Sequence, residues 1–521
     1  MLITRFISTR PSPGQFTMPS KLGIEISRHV FILLILPLLA LAQDIAGWQS
    51  LKGFEDFRPL ADKSWTLANG TFTTVRDPRI LQDLVTKETY DNFEISLDWR
   101  IEPGGNSGIK YRIGNERFFL YEQAGYSYGK RVESGNFGPT QRGEFRINAF
   151  EFQLVDDKRR PDARLDGTRQ TGAIYSIKAP SARAAHAPGE WNTLRLVVNA
   201  GHIEHWINDK LVLSVPFTDP AIAPRLGPPS PVALQNHADS IAQFRYVKIR
   251  RLLPLHQTHL LVQAELGFPS SVAAAPNGEI YLLQRGLSAD PIVVINREGK
   301  VLRQWGKGLF EIPHSIRLSP DGHVWTVDAA SSRILKFTPQ GKLLLTINVG
   351  EQPKTKSTFN GTADIAFAPN GHLFLADGYG NARVLEYSAD GRRLNQWGSP
   401  GTAPGQFNLP HGIAIDSDGI VYVADRENGR IQRFTQAGKF LNEFNGHGKT
   451  FSLTVADGAL WIGSQPLDQP NGTPGWLKKL DLKTGATLGV IDSPGHHSVD
   501  VTADGEIFTA VRPDRLLWFK R

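Results

Sequence analysis

Three histidines, His314, His411 and His497, each stand eight residues before a glycine, and each of those glycines (Gly322, Gly419, Gly505) follows an aspartate. Three neutral imidazoles brought to one point, with a coordination position left open, suit a catalytic zinc. One such histidine alone would be read as a strand cap or as the lining of a polar channel. What turns three into a ligand set is their place in a repeat.

After residue 265 the turn glycines are Gly278, Gly322, Gly371, Gly419, Gly458 and Gly505, spaced 39 to 49 residues apart. Each follows Asn or Asp, as tight turns with positive φ prefer, and an apolar strand flanks each turn on either side. Short strands repeating at that period predict a β-propeller of six blades. The segment THLLVQAEL (Thr258–Leu266) is expected to complete the last blade and close the ring, leaving no bare strand edge. Eight residues before the turn glycines stand Ser270, His314, Ala363, His411, Thr450 and His497, so histidine occupies every second blade. Equivalent positions of a propeller surround its axis, which makes the three imidazoles a metal site.

The loops on the far side of each turn add chemistry at the same end. Arg285 and Arg426 lie seven residues past their glycines, and Tyr379 lies eight past Gly371. A guanidinium can hold a carboxylate in bidentate fashion, and a tyrosine beside a divalent cation can serve as a base. Asp328, Asp377 and Asp425 recur six residues past their glycines and read as brackets that fix the loops.

Residues 44–252 show alternating strands without a repeat, among them NFEISLDWRI, SGIKYRIG, FEFQLVDD and FRYVKIRRL. Period-two patterning with turns at short intervals predicts a β-sandwich. On FEFQLVDD, Glu151 and Gln153 share one face while Phe150, Phe152 and Leu154 share the other. A sheet face carrying a carboxylate and an amide suits a sugar, whose hydroxyls need acceptors and donors in fixed places. Asn106, Arg112, Tyr175, Gln235 and His237 are further candidates on neighbouring strands. Residues 115–149, rich in aromatics and glycine, read as a loop at the sandwich mouth that could stack on sugar rings.

With 521 residues the chain has room for two to four domains. Its net charge is +7, of which the first 42 residues hold three, and no Lys/Arg run is dense enough for a nucleic-acid footprint. Lys21 and Arg28 precede the apolar run VFILLILPLLALA (Val30–Ala42), and Ala40-Leu41-Ala42 is a small-x-small cleavage site. Residues 1–42 are therefore expected to be a signal peptide, and 13 apolar residues broken by Pro37 are too few to span a bilayer. An exported protein, periplasmic or extracellular, with no membrane span after cleavage is the consequence. There is no cysteine, which excludes disulfides and thiolate nucleophiles.

The segments IPHSI, ADGYGNAR, QWGSPGTAPGQFNLPHGIAI and ADRENGRIQRF resemble NHL-repeat propellers and, more narrowly, the peptidyl-α-hydroxyglycine α-amidating lyases, over about residues 265–521. The resemblance implies His314, His411 and His497 as zinc ligands and Tyr379 as the base on a substrate hydroxyl. It implies Arg285 and Arg426 as substrate and charge-stabilising groups, in cleavage of a carbinolamide to an amide and glyoxylate. That family has an aspartate tied to a structural calcium after the third histidine; Ser498 stands there in this chain, which puts calcium in doubt. Gly380 and Arg433 stand where the family commonly has cysteines.

In the first half, TKETYDNFEISLDWRIEPGGNSGIKYR, FEFQLVDD, TGAIYSI, PGEWNTLRLVV, HWINDKLV and VALQNHAD resemble the 3-keto-disaccharide hydrolase domain, a concanavalin-like jelly-roll sandwich. This implies action on 3-keto-glycosides; the resemblance supplies no catalytic pair, and Glu151, taken from the strand pattern, is the residue expected to do the acid–base work. The whole is then an all-β chain, with a signal peptide over 1–42, a sandwich over 44–252 and a six-bladed NHL β-propeller over 258–521. Three functions compete. One is an exported carbohydrate-active enzyme with a second, zinc lyase-like site; another is an amidating-lyase-type enzyme with a sugar-binding sandwich; the third is a non-catalytic NHL platform. The three histidines speak against the last.

Overall fold

The structure is a computed structural model, and it describes residues 44, 46–121, 129–132, 140–352, 358–511 and 515–520. The signal peptide expected over 1–42 lies outside the described residues. Residues 42–521 form one compact unit. Among the described residues no helix is long and apolar enough to cross a membrane.

The first half is two sheets face to face. One runs in the order Lys210–Pro216, His202–Ile207, Asn192–Asn199, Phe93–Ile101, Ala242–Arg251, Thr71–Thr74, Trp65–Ala68, with Gln49–Ser50 paired on Ala242–Arg251. The other runs Ile80–Leu81, Arg142–Val155, Asn106–Tyr121, Ala233–Leu234, Leu84–Val85. Strand alternation fixes which side chains meet. Phe93, Ile95, Leu97 and Trp99 of the first sheet pack on Ile109, Tyr111, Phe150, Phe152 and Leu154 of the second in one core. That leaves Lys110, Glu151 and Gln153 on the outer face of the second sheet. Much of the aromatic segment read as a mouth loop is in fact strand: Asn115 to Tyr121 pair with Asn148 to Arg142. Its period-two pattern continues the hairpin, and the residues 122–128 and 133–139 between lie outside the described ones.

His205 is wholly buried in this core, stacked on Phe152 at 3.9 Å and held by the Tyr111 hydroxyl and the Gly172 carbonyl, each at 2.9 Å. Burial pushes its imidazole down to about 3. In the unfolded chain the ring titrates near ~6.5, so below that value the unfolded state binds a proton that the folded state refuses. Stability therefore falls on acidification from about pH 6.5 towards 3, by up to ~1.4 kcal/mol per pH unit from this residue. His447 and His496, pushed by burial to about 3 and about 4, act with the same sign. Urea midpoints taken from about pH 7 to about pH 5 should fall; a midpoint that stays level would show these rings protonated in the folded state.

Among the described residues the second half holds six four-stranded sheets and one short two-stranded one, Ser399–Pro400 with Gln406–Phe407. Five blades are contiguous, spanning Pro269–Trp305, Pro313–Asn348, Asp364–Trp397, Pro410–Phe444 and Lys449–Ser493 by their outermost strands. The sixth is closed by a strand from upstream: His256–Leu260 pairs with Arg515–Lys520 beside Ile507–Val511 and His496–Val501. The closing strand is thus shorter and earlier than Thr258–Leu266, because past Leu260 the chain peels away and Gln263 bonds instead to Gly299. All six turn glycines have φ between +65° and +88°, the region where a side chain is strained.

The three aspartates act as brackets. Asp328 accepts from the amides of Glu311, Ile312 and Ala330; Asp377 from Asn381 and Arg383; Asp425 from Asn408, Asn428 and Arg430. The last sandwich strand meets the fifth blade. Arg250 forms paired bonds to Asp492 at 2.9 and 2.8 Å while also holding Glu94, and Leu253 packs with Trp461 and Leu477.

Candidate active sites

At His314, His411 and His497 the first strand of the blade breaks its ladder: pairing jumps from Pro313 to Ser315 and from His496 to Ser498, passing over one residue each, and from Pro410 to Ile413, passing over two residues. A bulge re-aims the residue it leaves unpaired. Each of these imidazoles is turned out of its own sheet and tied to the next odd blade. Nδ1 of His314 lies 2.6 Å from the Ala363 carbonyl, that of His411 2.6 Å from Phe451, and that of His497 2.7 Å from Ser270. Carbonyls only accept, so Nδ1 carries the proton and Nε2 offers its lone pair inward.

The three ligand nitrogens lie within 4.8 Å of one another, and all three residues are buried. Ring centroids stand 4.8 to 5.3 Å apart. Loss of solvent, with the neighbouring rings and the cations Arg285 and Arg426, holds the imidazoles of His314 and His411 well below the usual histidine range. Neutral, tautomer-fixed, convergent nitrogens are what zinc takes. The donor set fits the metal.

Tyr379 places its hydroxyl 2.8 Å from Nε2 of His314 and 2.9 Å from Nε2 of His411, at the point where the lone pairs converge. Arg285 donates from Nε to the Pro313 carbonyl at 2.8 Å, its guanidinium over the rings of Phe268 and Phe359. Arg426 is buried, bonds Glu427 from Nε at 2.8 Å, and lies over Phe451 and Tyr379. The three loop residues and the three histidines therefore meet at one end of the propeller. Phe268, Phe359, Phe451 and Glu427 were not read from the sequence, since they fall between the repeat positions. The signal was their adjacency to them: Phe451 follows Thr450, and Glu427 follows Arg426.

On the sandwich, Glu151 accepts from Gln235 Nε2 at 3.0 Å and pairs across the sheet with Lys110. Lys110 Nζ in turn lies 2.8 Å from Asp83 Oδ2. The Gln153 side chain sits 3.3 Å from that of Asn106. Tyr175 donates its amide to the Glu151 carbonyl, and its hydroxyl faces Asp162 at 3.5 Å. Burial pushes the Glu151 carboxyl up to about 7, against the pull of Lys110. Arg112 does not join them. Its backbone takes φ +54° at the break in the ladder, and its guanidinium is held by Asp91 at 2.8 Å and by the Phe217 ring. His237 is bonded to Asp239 at 2.8 Å, which Arg160 also holds. Lys110 and Asp83 were missed, because a lone lysine in SGIKYR reads as an ordinary solvated strand position.

Residues 42–250 match the family model described as a 3-keto-alpha-glucoside-1,2-lyase-like domain, and residues 407–434 match the NHL repeat. A Caenorhabditis elegans protein named "Probable peptidyl-alpha-hydroxyglycine alpha-amidating lyase pgal-1" is 30% identical over 295 residues, covering 49% of this chain and 82% of the relative. The chain belongs to the peptidyl-α-hydroxyglycine α-amidating lyase family. The peptidyl-alpha-hydroxyglycine alpha-amidating lyase 1 of Drosophila melanogaster is 34% identical over 244 residues, 41% of this chain, and the chain spans 45% of that relative's length. Among solved structures, a virginiamycin B lyase from Staphylococcus aureus has a TM-score of 0.40 at 18% identity, over 51% of this chain and 99% of that one.

As an amidating-lyase relative the chain would be expected to hold calcium on the axis, and its residues do not fit that ion. Ser498 offers a hydroxyl engaged with Ser271 at 3.1 Å and with the Val272 amide. Beside them in the same cavity is the Arg317 guanidinium, bonded to both oxygens of Asp364 at 3.1 and 2.6 Å and to the Leu453 carbonyl at 3.0 Å. A fixed cation stands where a calcium would need oxygen ligands.

Proposed function

We propose that this is an exported two-domain enzyme. Its propeller is a zinc-dependent lyase of carbinolamides of the α-hydroxyglycine class, and its sandwich breaks 3-keto-glycosides by elimination. The observation that carries the lyase reading is the Tyr379 hydroxyl, within hydrogen-bond reach of two of three convergent, neutral imidazole nitrogens.

His314, His411 and His497 would hold the zinc through Nε2, and the metal would supply Lewis acidity towards the substrate hydroxyl. Tyr379 takes the proton from that hydroxyl. As the oxygen lone pair forms the aldehyde C=O, the C–N bond breaks and the amide nitrogen takes up the proton, so the atoms balance as amide plus glyoxylate. Arg285 and Arg426 lie on either side to fix the substrate carboxylate and the developing charge. Glu427 and the Pro313 carbonyl orient the two guanidiniums.

On the sandwich, Glu151 removes the proton from the carbon between the ketone and the anomeric centre. The glycosidic C–O bond then breaks with formation of a C=C bond conjugated to the ketone, and the departing oxygen takes the proton back. A base poised near neutral pH suits that abstraction.

Tyr379→Phe keeps the ring and removes the proton acceptor. Glyoxylate release from a peptidyl-α-hydroxyglycine should fall by about 10²-fold or more in kcat, with bound zinc unchanged. A variant as fast as the parent would exclude Tyr379 as the base. A parent that releases no glyoxylate from any such adduct would exclude the substrate class.

A further inference from the structure

We propose that Lys110 is a catalytic electrophile of the sandwich site, its ammonium receiving the enolate oxygen that forms when Glu151 removes the neighbouring proton, with Asp83 as its positioning residue. This rests on the 3-keto-glycoside reading above.

Lys110 and Glu151 are direct cross-strand partners on the outer face of the second sheet. Partners of this kind have Cβ atoms roughly 4.5–5.5 Å apart. Abstraction of a proton next to a ketone needs two groups side by side, one at the carbon losing its proton and one at the carbonyl oxygen gaining charge. A donor placed in advance at that oxygen is the larger stabilising effect in such reactions.

The supporting residues hold both groups in place. Asp83 Oδ2 takes one N–H of Lys110 at 2.8 Å, and its Oδ1 accepts from the Asn236 amide at 2.9 Å, which fixes the carboxylate. The adjacent Gln235 holds Glu151 at 3.0 Å. Gly108 lies under the Glu151 stem, where a Cβ would come within 2.6 Å of Glu151 Cγ, so the carboxylate stands where it does only because that strand residue has no side chain. An ammonium has three N–H donors, and an ion pair with Asp83 alone uses one of them. The side chains are 12% and 4% exposed for Lys110 and Asp83, so the pair is largely shielded from water, with the lysine the more accessible of the two. A pair serving only to bind strands would not need to stand directly opposite Glu151 on the adjacent strand.

Bonds and charges close. The C–H electrons become the C=C of the enolate, the negative charge lands on the oxygen beside Lys110, and the proton sits on Glu151. Collapse of the enolate restores the ketone and expels the glycosidic oxygen, which receives that proton.

The experiment uses the full chain with a 3-keto-glucoside carrying a nitrophenyl leaving group. Lys110→Met should lower kcat by about 10²-fold or more with a far smaller change in KM, and should abolish exchange of the abstracted proton into D2O. Glu151 is also faced by Asp83, Asp162 and Tyr175. With those acids kept and the cation removed, the rising limb of the kcat/KM profile should move to higher pH, as it would for any lysine beside Glu151. A purely structural lysine would lower the melting temperature and leave kcat at the plateau, and the exchange into D2O, as in the parent. Asp83→Asn provides the second variant if Lys110→Met melts early: about a 10-fold loss in kcat is expected, and an unchanged kcat would overturn the proposal. Turnover by Lys110→Met within about three-fold of the parent overturns it as well, with the 3-keto-glycoside reading intact. A parent inert towards the probe overturns both.

Discussion

His411→Ala is expected to leave the propeller without its metal. The parent should retain about one equivalent of zinc after dialysis, and the variant less than about a tenth of that. Altering a group that merely orients a ligand costs about 10- to 100-fold in metal affinity; removing one of three ligands costs more. The remaining two imidazoles stay fixed by Ala363 and Ser270, so the loss is local and the six-bladed ring survives. Amide release should fall with the zinc, by more than about 10²-fold. Metal analysis by mass spectrometry on parent and variant, beside their melting curves, decides the matter. Zinc retained at full stoichiometry in a folded His411→Ala would remove the triad from the chemistry.

Glu151→Gln should abolish elimination from 3-keto-glucosides, with kcat down by up to about 10⁴-fold. The amide is nearly isosteric and keeps a partner in Gln235, so the fold and the propeller's zinc should be untouched. The pH dependence of the parent gives an independent reading. The carboxyl is pushed up to about 7 by burial, and the base acts only when ionised, so kcat/KM should rise through about that value and level above it. In the glutamine variant that limb should vanish along with the rate. Turnover close to the parent's would place the base elsewhere on the sheet.

The two halves differ in how much of their chemistry the sequence exposed. In the propeller a six-fold repeat supplies its own alignment. Once the turn glycines are superposed, His314, His411 and His497 fall on equivalent positions, and the ring's symmetry carries them to the axis. The sandwich has no such internal ruler. Alternation separated Glu151 and Gln153 from Phe150 and Phe152, which is a local property of one strand. Which residues lie opposite Glu151 depends on pairing between strands distant in the chain. Lys110 was therefore invisible as a partner, and Arg112 points away from Glu151 because it takes the left-handed φ at the break in the ladder, where strand alternation no longer sets its face.

Blade number, the two faces of FEFQLVDD and the alternate-blade histidines were determined by the sequence alone, because each follows from a short period in the backbone: glycine turns for the blades and two residues for a strand. Only the tertiary structure decided which nitrogen of each histidine faces inward, that Arg317 and Asp364 occupy the axis below them, and that Asp83 stands behind Lys110. Those outcomes rest on contacts between residues 27 to 227 positions apart, where no local pattern constrains the partner and the packed sheets do.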